Sequence, residues 1–123
     1  MIYKESINEL VTAAHDTAIE KGFYDDIYAA YAYLDRQGMS AIQQSVKRDF
    51  VLSQIAKVGS EVGETVQAIQ RHGIYAECVE EELADILIRV FDLAGYMEIN
   101  LGRAVYRKMK INKERPRKHG KIC

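Results

Sequence analysis

A single proline, Pro116, stands in this 123-residue chain; there is no tryptophan, and the eight glycines are scattered one at a time. Nothing before residue 116 therefore carries the ring that breaks a helix, and long uninterrupted helices are expected. With 48% of residues hydrophobic, the chain also lacks the polar, proline-rich composition of a disordered segment. Two cysteines, Cys78 and Cys123, are too few and too differently placed for a disulfide framework, and no Cys-x-x-Cys exists. The three histidines (His15, His72, His119) never cluster with cysteine, which excludes the usual thiolate or imidazole zinc site. No run approaches the roughly 18 apolar residues of a membrane span, and the N-terminus carries no apolar signal segment, so a cytoplasmic protein with no membrane partner is expected. Phosphate-binding glycine loops, the Rossmann glycine pattern and the nucleophile elbow are missing too. Any chemistry must come from elsewhere.

What is present is helical periodicity. A first helix is predicted over about Ser6–Glu20, with Ser6 and Glu9 spaced as a capping box, and a second over Asp25–Arg36. A third, from Ser40 to Arg71, repeats Val46, Phe50, Val51, Ile55, Val58, Val62, Val66 and Ile69 every few residues. Gly59 and Gly63 sit inside it, each costing about 1 kcal/mol of helix propensity, and close packing of a helix or a ligand would explain them. His72-Gly73-Ile74 reads as a tight turn. A fourth helix from about Tyr75 to Tyr96 is apolar on most faces, and a short fifth spans about Leu101–Ile111. No strand pattern competes. The expectation is one all-α domain over 1–123: an antiparallel helix hairpin core within a four- to five-helix bundle, completed by oligomerisation.

Charge is divided unevenly. Residues 1–102 hold 8 Lys/Arg against 17 Asp/Glu, whereas residues 103–123 hold 9 Lys/Arg against one acid. Residues 112–123 read as a basic, mobile tail. With the excess of basic residues confined to 103–123 and the body acidic, no nucleic-acid partner is expected.

The acids have an order. Glu61 and Glu64 are three apart on the third helix, and Glu82 and Asp85 three apart on the fourth. Residues at i,i+3 share a helix face, so the short turn should bring two carboxylate pairs to the same height. Four such groups on apolar-flanked faces repel one another unless solvent or a cation reaches them. An all-oxygen set suits Mg²⁺, with Mn²⁺ the alternative, and Mg²⁺ is normally completed by water and substrate phosphates. Absence of histidine three residues after any glutamate disfavours a di-iron site. Lys57, one turn before Glu61, is either a phosphate contact or an ion-pair partner of Glu61, with the pair the simpler reading. Arg89 and Asp92 follow Asp85 on the same helix, as a structural pair or with Asp92 as an outer ligand. Tyr24, Tyr28 and Tyr31 form a stripe more typical of a core than of base stacking, and His15 reads as a core or boundary histidine.

The runs Val58-Gly-Ser-Glu-Val-Gly-Glu64, Glu81-Glu-Leu-Ala-Asp-Ile-Leu87 and Lys108-Met-Lys-Ile-Asn112 together resemble the MazG-like all-α nucleoside triphosphate pyrophosphohydrolases. The resemblance covers about residues 50–120 and does not extend to residues 1–40. It implies Mg²⁺ (or Mn²⁺) held by Glu61, Glu64, Glu82 and Asp85, and hydrolysis of a nucleoside or deoxynucleoside triphosphate between its α and β phosphates. Lys108 and Asn112, with Lys57 the less secure addition, would contact the substrate, and a homodimer or dimer-of-dimers tetramer would share its sites between subunits. Phosphoribosyl-ATP and dUTP pyrophosphohydrolases follow the same logic. The rival outside enzymes is a non-catalytic helical interaction protein.

Overall fold

The computed structural model describes residues 2–117, so the last six residues of the basic tail lie outside the described residues. Five helices follow one another with no strand among the described residues: α1 (Ile2–Glu20), α2 (Asp25–Arg36), α3 (Ser40–His72), α4 (Glu77–Tyr96) and α5 (Leu101–Glu114). The chain is all-α. None of the described helices is long and apolar enough to cross a membrane.

Gly73 makes the central hairpin possible. Its φ of +88° is open to glycine at little cost, and its N–H still reaches back to the Ile69 carbonyl at 2.9 Å. The chain thus leaves α3 after its last turn and enters α4 four residues later, which makes the two helices antiparallel neighbours. α4 packs on α3 along one side and on α1 along another, while α5 lies on α1 and α2 on the first part of α3. α1 and α4 meet closely at Gly95, where an added Cβ would stand 2.5 Å from the Cβ of His15. Asn8 fastens α1 to the start of α5: its side-chain oxygen accepts the Gly102 N–H at 2.9 Å, and its amide donates to Asn100 Oδ1 at 2.9 Å. Asn100 also caps α5 by accepting the Arg103 N–H at 3.1 Å.

The core is aromatic where α1, α2, α3 and α4 converge. Tyr24, 2% exposed, stacks on Tyr96 with ring centroids 5.3 Å apart, and Phe50 leans on Tyr96 at 5.1 Å. Tyr28 stacks on Tyr24 at 5.7 Å, and the Tyr31 and Tyr96 hydroxyls share a hydrogen bond. The tyrosine stripe is thus mainly spent on the core. Burial first, and then the Asp92 carboxylate, push the Tyr24 hydroxyl well above the ordinary tyrosine value; burial does the same to Tyr96, helped by its bond to Tyr31.

Two expectations need correcting. α1 begins at Ile2, so Ser6 lies inside the helix and not at its start. Among the described residues no other helix packs on Gly59 or Gly63: a Cβ added at either meets no such neighbour within 4 Å. Both lie beside an uncovered apolar stripe of α3 formed by Ile55, Val62, Val66 and Ile69, and on α4 Leu83, Leu87 and Ile88 are half exposed.

Candidate metal centre

The hairpin sets its carboxylates by counting turns. Glu61 lies twelve residues before Gly73 and Glu82 nine after it, so about 1.5 Å per residue brings them nearly level across the α3–α4 contact. One carboxylate oxygen from each of Glu61, Glu64 and Glu82 lies within 4.8 Å of the other two. Asp85 is not in that group. It stands one turn further along α4 on a side chain one methylene shorter, and lines the adjoining cavity instead. Glu81, the neighbour of Glu82, is exposed and outside the cluster.

The three glutamates occupy different environments. Glu61 is 9% exposed, and Arg89 Nε donates to its Oε1 at 2.6 Å. That bond holds the Glu61 carboxyl below its ordinary value, against the opposing effect of burial. Glu64 is exposed yet pushed upward, first by its hydrogen bond with Glu61 and then by the negative charge of Glu61 and Glu82. Glu82 keeps one oxygen, Oε2, buried and, among the described residues, without a hydrogen-bond partner. A buried carboxylate oxygen beside two further carboxylates makes a set of hard oxygen donors whose repulsion a cation could offset.

Alongside runs an open cavity of about 760 Å³ between α1, the turn that follows it, α3 and α4. Glu61 and Asp85 line it together with Lys57 and Arg89, its two cationic side chains. Phe50, Gln54, Phe23 and Tyr24 line it too, and Phe50 is eleven residues, about 16 Å of helix, from Glu61. The cavity therefore runs from an acidic wall to an aromatic one. Asp92 closes part of it, its Oδ1 accepting from the Tyr24 hydroxyl at 2.8 Å and bonded to His15 Nδ1 at 2.9 Å.

Lys57 faces the cavity and has no ion pair among the described residues; the partner of Glu61 is Arg89, which the spacing did not single out. Only the contact between the helices reveals that pair, since 28 residues separate its members. Lys108 and Asn112 are exposed on α5, which packs on α1, and neither lines the cavity.

Residues 51–119, more than half the chain, match the family profile described as the MazG nucleotide pyrophosphohydrolase domain. No curated protein and no solved structure matches the chain. The match takes in most of α3, all of α4 and α5, and every carboxylate of the cluster. Helix α1 and the turn after it, which carry the lining residues from Leu10 to Tyr24, lie outside it.

Proposed function

Because the chain belongs to the MazG nucleotide pyrophosphohydrolase family, we propose that it hydrolyses a nucleoside or deoxynucleoside triphosphate between the α and β phosphates, releasing the monophosphate and pyrophosphate. The observation that carries this reading is the Glu61–Glu64–Glu82 cluster, joined through Glu61 to a cavity of nucleotide size that Glu61 and Asp85 line.

The residues fit a hard divalent cation. All donors are carboxylate oxygens, one of them is buried without a partner among the described residues, and their mutual repulsion is what a cation relieves. Glu61, Glu64 and Glu82 would hold Mg²⁺ or Mn²⁺, with Asp85 reaching it from the cavity side. When bound, such an ion polarises a phosphoryl oxygen and lowers the pKa of a water ligand. The chain itself supplies the rest. Lys57 offers a positive charge to the polyphosphate in the cavity. Phe23 and Phe50 present apolar surface to the nucleoside at the end remote from the glutamate cluster.

Lys108 and Asn112 sit on the outer helix, so their contact with a nucleotide is assigned to a neighbouring subunit's site. The exposed stripe of α3 and the uncovered side of α4 support a homodimer, or a tetramer built from dimers, because apolar area of this kind usually marks an interface.

The experiment is turnover of a panel of nucleotides, phosphoribosyl-ATP and dUTP included, with Mg²⁺ and chromatographic product identification. Monophosphate and pyrophosphate from at least one triphosphate is the expected outcome. No turnover of any member would reject the reading in favour of a helical interaction protein.

A further inference from the structure

Arg89 stands on α4 one turn beyond Asp85, and its Nε–H closes on Glu61 Oε1 at 2.6 Å. The two partners are unequally placed: the Glu61 side chain is 11% exposed, whereas that of Arg89 is 42% exposed and opens onto the cavity. A divalent ion in the cluster needs oxygens at about 2.0–2.1 Å. Such an ion on Glu61 would meet the guanidinium at once, positive charge against positive charge, because the oxygens of Glu64 and Glu82 lie within 4.8 Å of the same carboxylate. The buried carboxylate cannot leave, but the half-exposed arginine can.

We propose that Arg89 is a built-in counter-ion that occupies Glu61 in the metal-free protein, is displaced by the entering cation, and then turns into the cavity to bind the substrate's phosphates. The proposal rests on the metal-dependent reading above. Once freed, the guanidinium shares the cavity with Lys57, and its planar fork suits two phosphate oxygens where the lysine offers one point of charge. Metal and phosphate then bind with positive coupling: the cation releases the arginine that the phosphate takes up, and the coupling is the same in either direction.

The test is a calorimetric Mn²⁺ titration of the full-length protein and of Arg89→Gln, with steady-state kinetics on a hydrolysed triphosphate in Mg²⁺. Arg89→Gln should bind Mn²⁺ at least tenfold more tightly than wild type while its KM rises at least tenfold. Equal or weaker Mn²⁺ binding by the variant, with wild type binding normally, overturns the proposal and leaves the metal site standing. Mn²⁺ binding by neither protein rejects the metal reading and the proposal with it. Wild-type protein gives a second measurement that needs no variant to fold. The Arg89 Nε–H resonance should exchange slowly in metal-free protein and move towards free arginine values on adding Mg²⁺. A resonance that stays in place as Mg²⁺ saturates would also overturn the displacement.

Discussion

Gly95→Ala tests whether α1 is held against α4 as tightly as the cavity wall requires. The new methyl would lie 2.5 Å from His15 Cβ and 2.8 Å from its Cγ, both far inside contact distance. These atoms sit at the base of the side chain on a helix, so a rotamer change cannot clear them and the helices must part. Overpacking of this kind costs about 1–3 kcal/mol, here towards the upper end because the separation also stretches the His15–Asp92 bond of 2.9 Å. Alanine regains about 1 kcal/mol of helix propensity. The net expectation is a loss of about 1–2 kcal/mol. At about 2.1 cal/mol/K of unfolding entropy per residue, 1 kcal/mol corresponds to about 4 °C in a chain of this length, giving a Tm about 4–8 °C lower. Calorimetry of the two proteins at one concentration reads this directly. A variant melting at or above wild type would refute the close contact, because propensity alone would then describe the site.

Asp85→Asn keeps shape and removes one negative charge; it should leave metal-free stability unchanged or slightly raised, yet lower pyrophosphate release by about 10²–10³ in kcat. Wild-type turnover in that variant would remove Asp85 from the site. Tyr24→Phe deletes the 2.8 Å bond to Asp92 and should cost about 1.5 kcal/mol, measured by urea unfolding. The raised folded-state values of Tyr24 and Tyr96 add stability that is complete below the ordinary tyrosine value of 10.0, so wild type should lose stability as pH climbs above it. Unfolding midpoints that stay flat to the alkaline limit would contradict this. Val62→Glu places a charge in the exposed stripe of α3 and should convert the proposed homodimer to monomer by light scattering; an unchanged mass would move the interface elsewhere.

Helix positions were legible because periodicity and glycine act locally. α2 runs over the expected residues, α3 exceeds its expected end by one, and the hairpin turns at Gly73. Ser6 misled because a capping-box spacing also fits the interior of a longer helix, and nothing in the local pattern marks the earlier start at Ile2. The i,i+3 rule brought Glu61, Glu64 and Glu82 together, but spacing along one helix carries no information about side-chain length or tilt. That is why Asp85 was expected in the cluster and lies instead on the cavity wall. Arg89 and Asp92 were visible only as neighbours on one helix. Their partners, Glu61 for one and His15 with Tyr24 for the other, come from elements 28 to 77 residues away. The glycines of α3 were assigned close packing by a helix or a ligand, and no helix among the described residues supplies it.

The central claim is cleavage between the α and β phosphates with the carboxylate cluster holding the metal. The most direct test is turnover of two analogues of a hydrolysed triphosphate, one with nitrogen bridging the β and γ phosphates and one with nitrogen bridging α and β, each with Mg²⁺ and again with EDTA. The β,γ-imido analogue should be hydrolysed to the monophosphate and imidodiphosphate in Mg²⁺ only, and the α,β-imido analogue should remain intact. Hydrolysis that continues unabated in EDTA, or that spares the β,γ-imido analogue while releasing orthophosphate from the α,β-imido one, would contradict it.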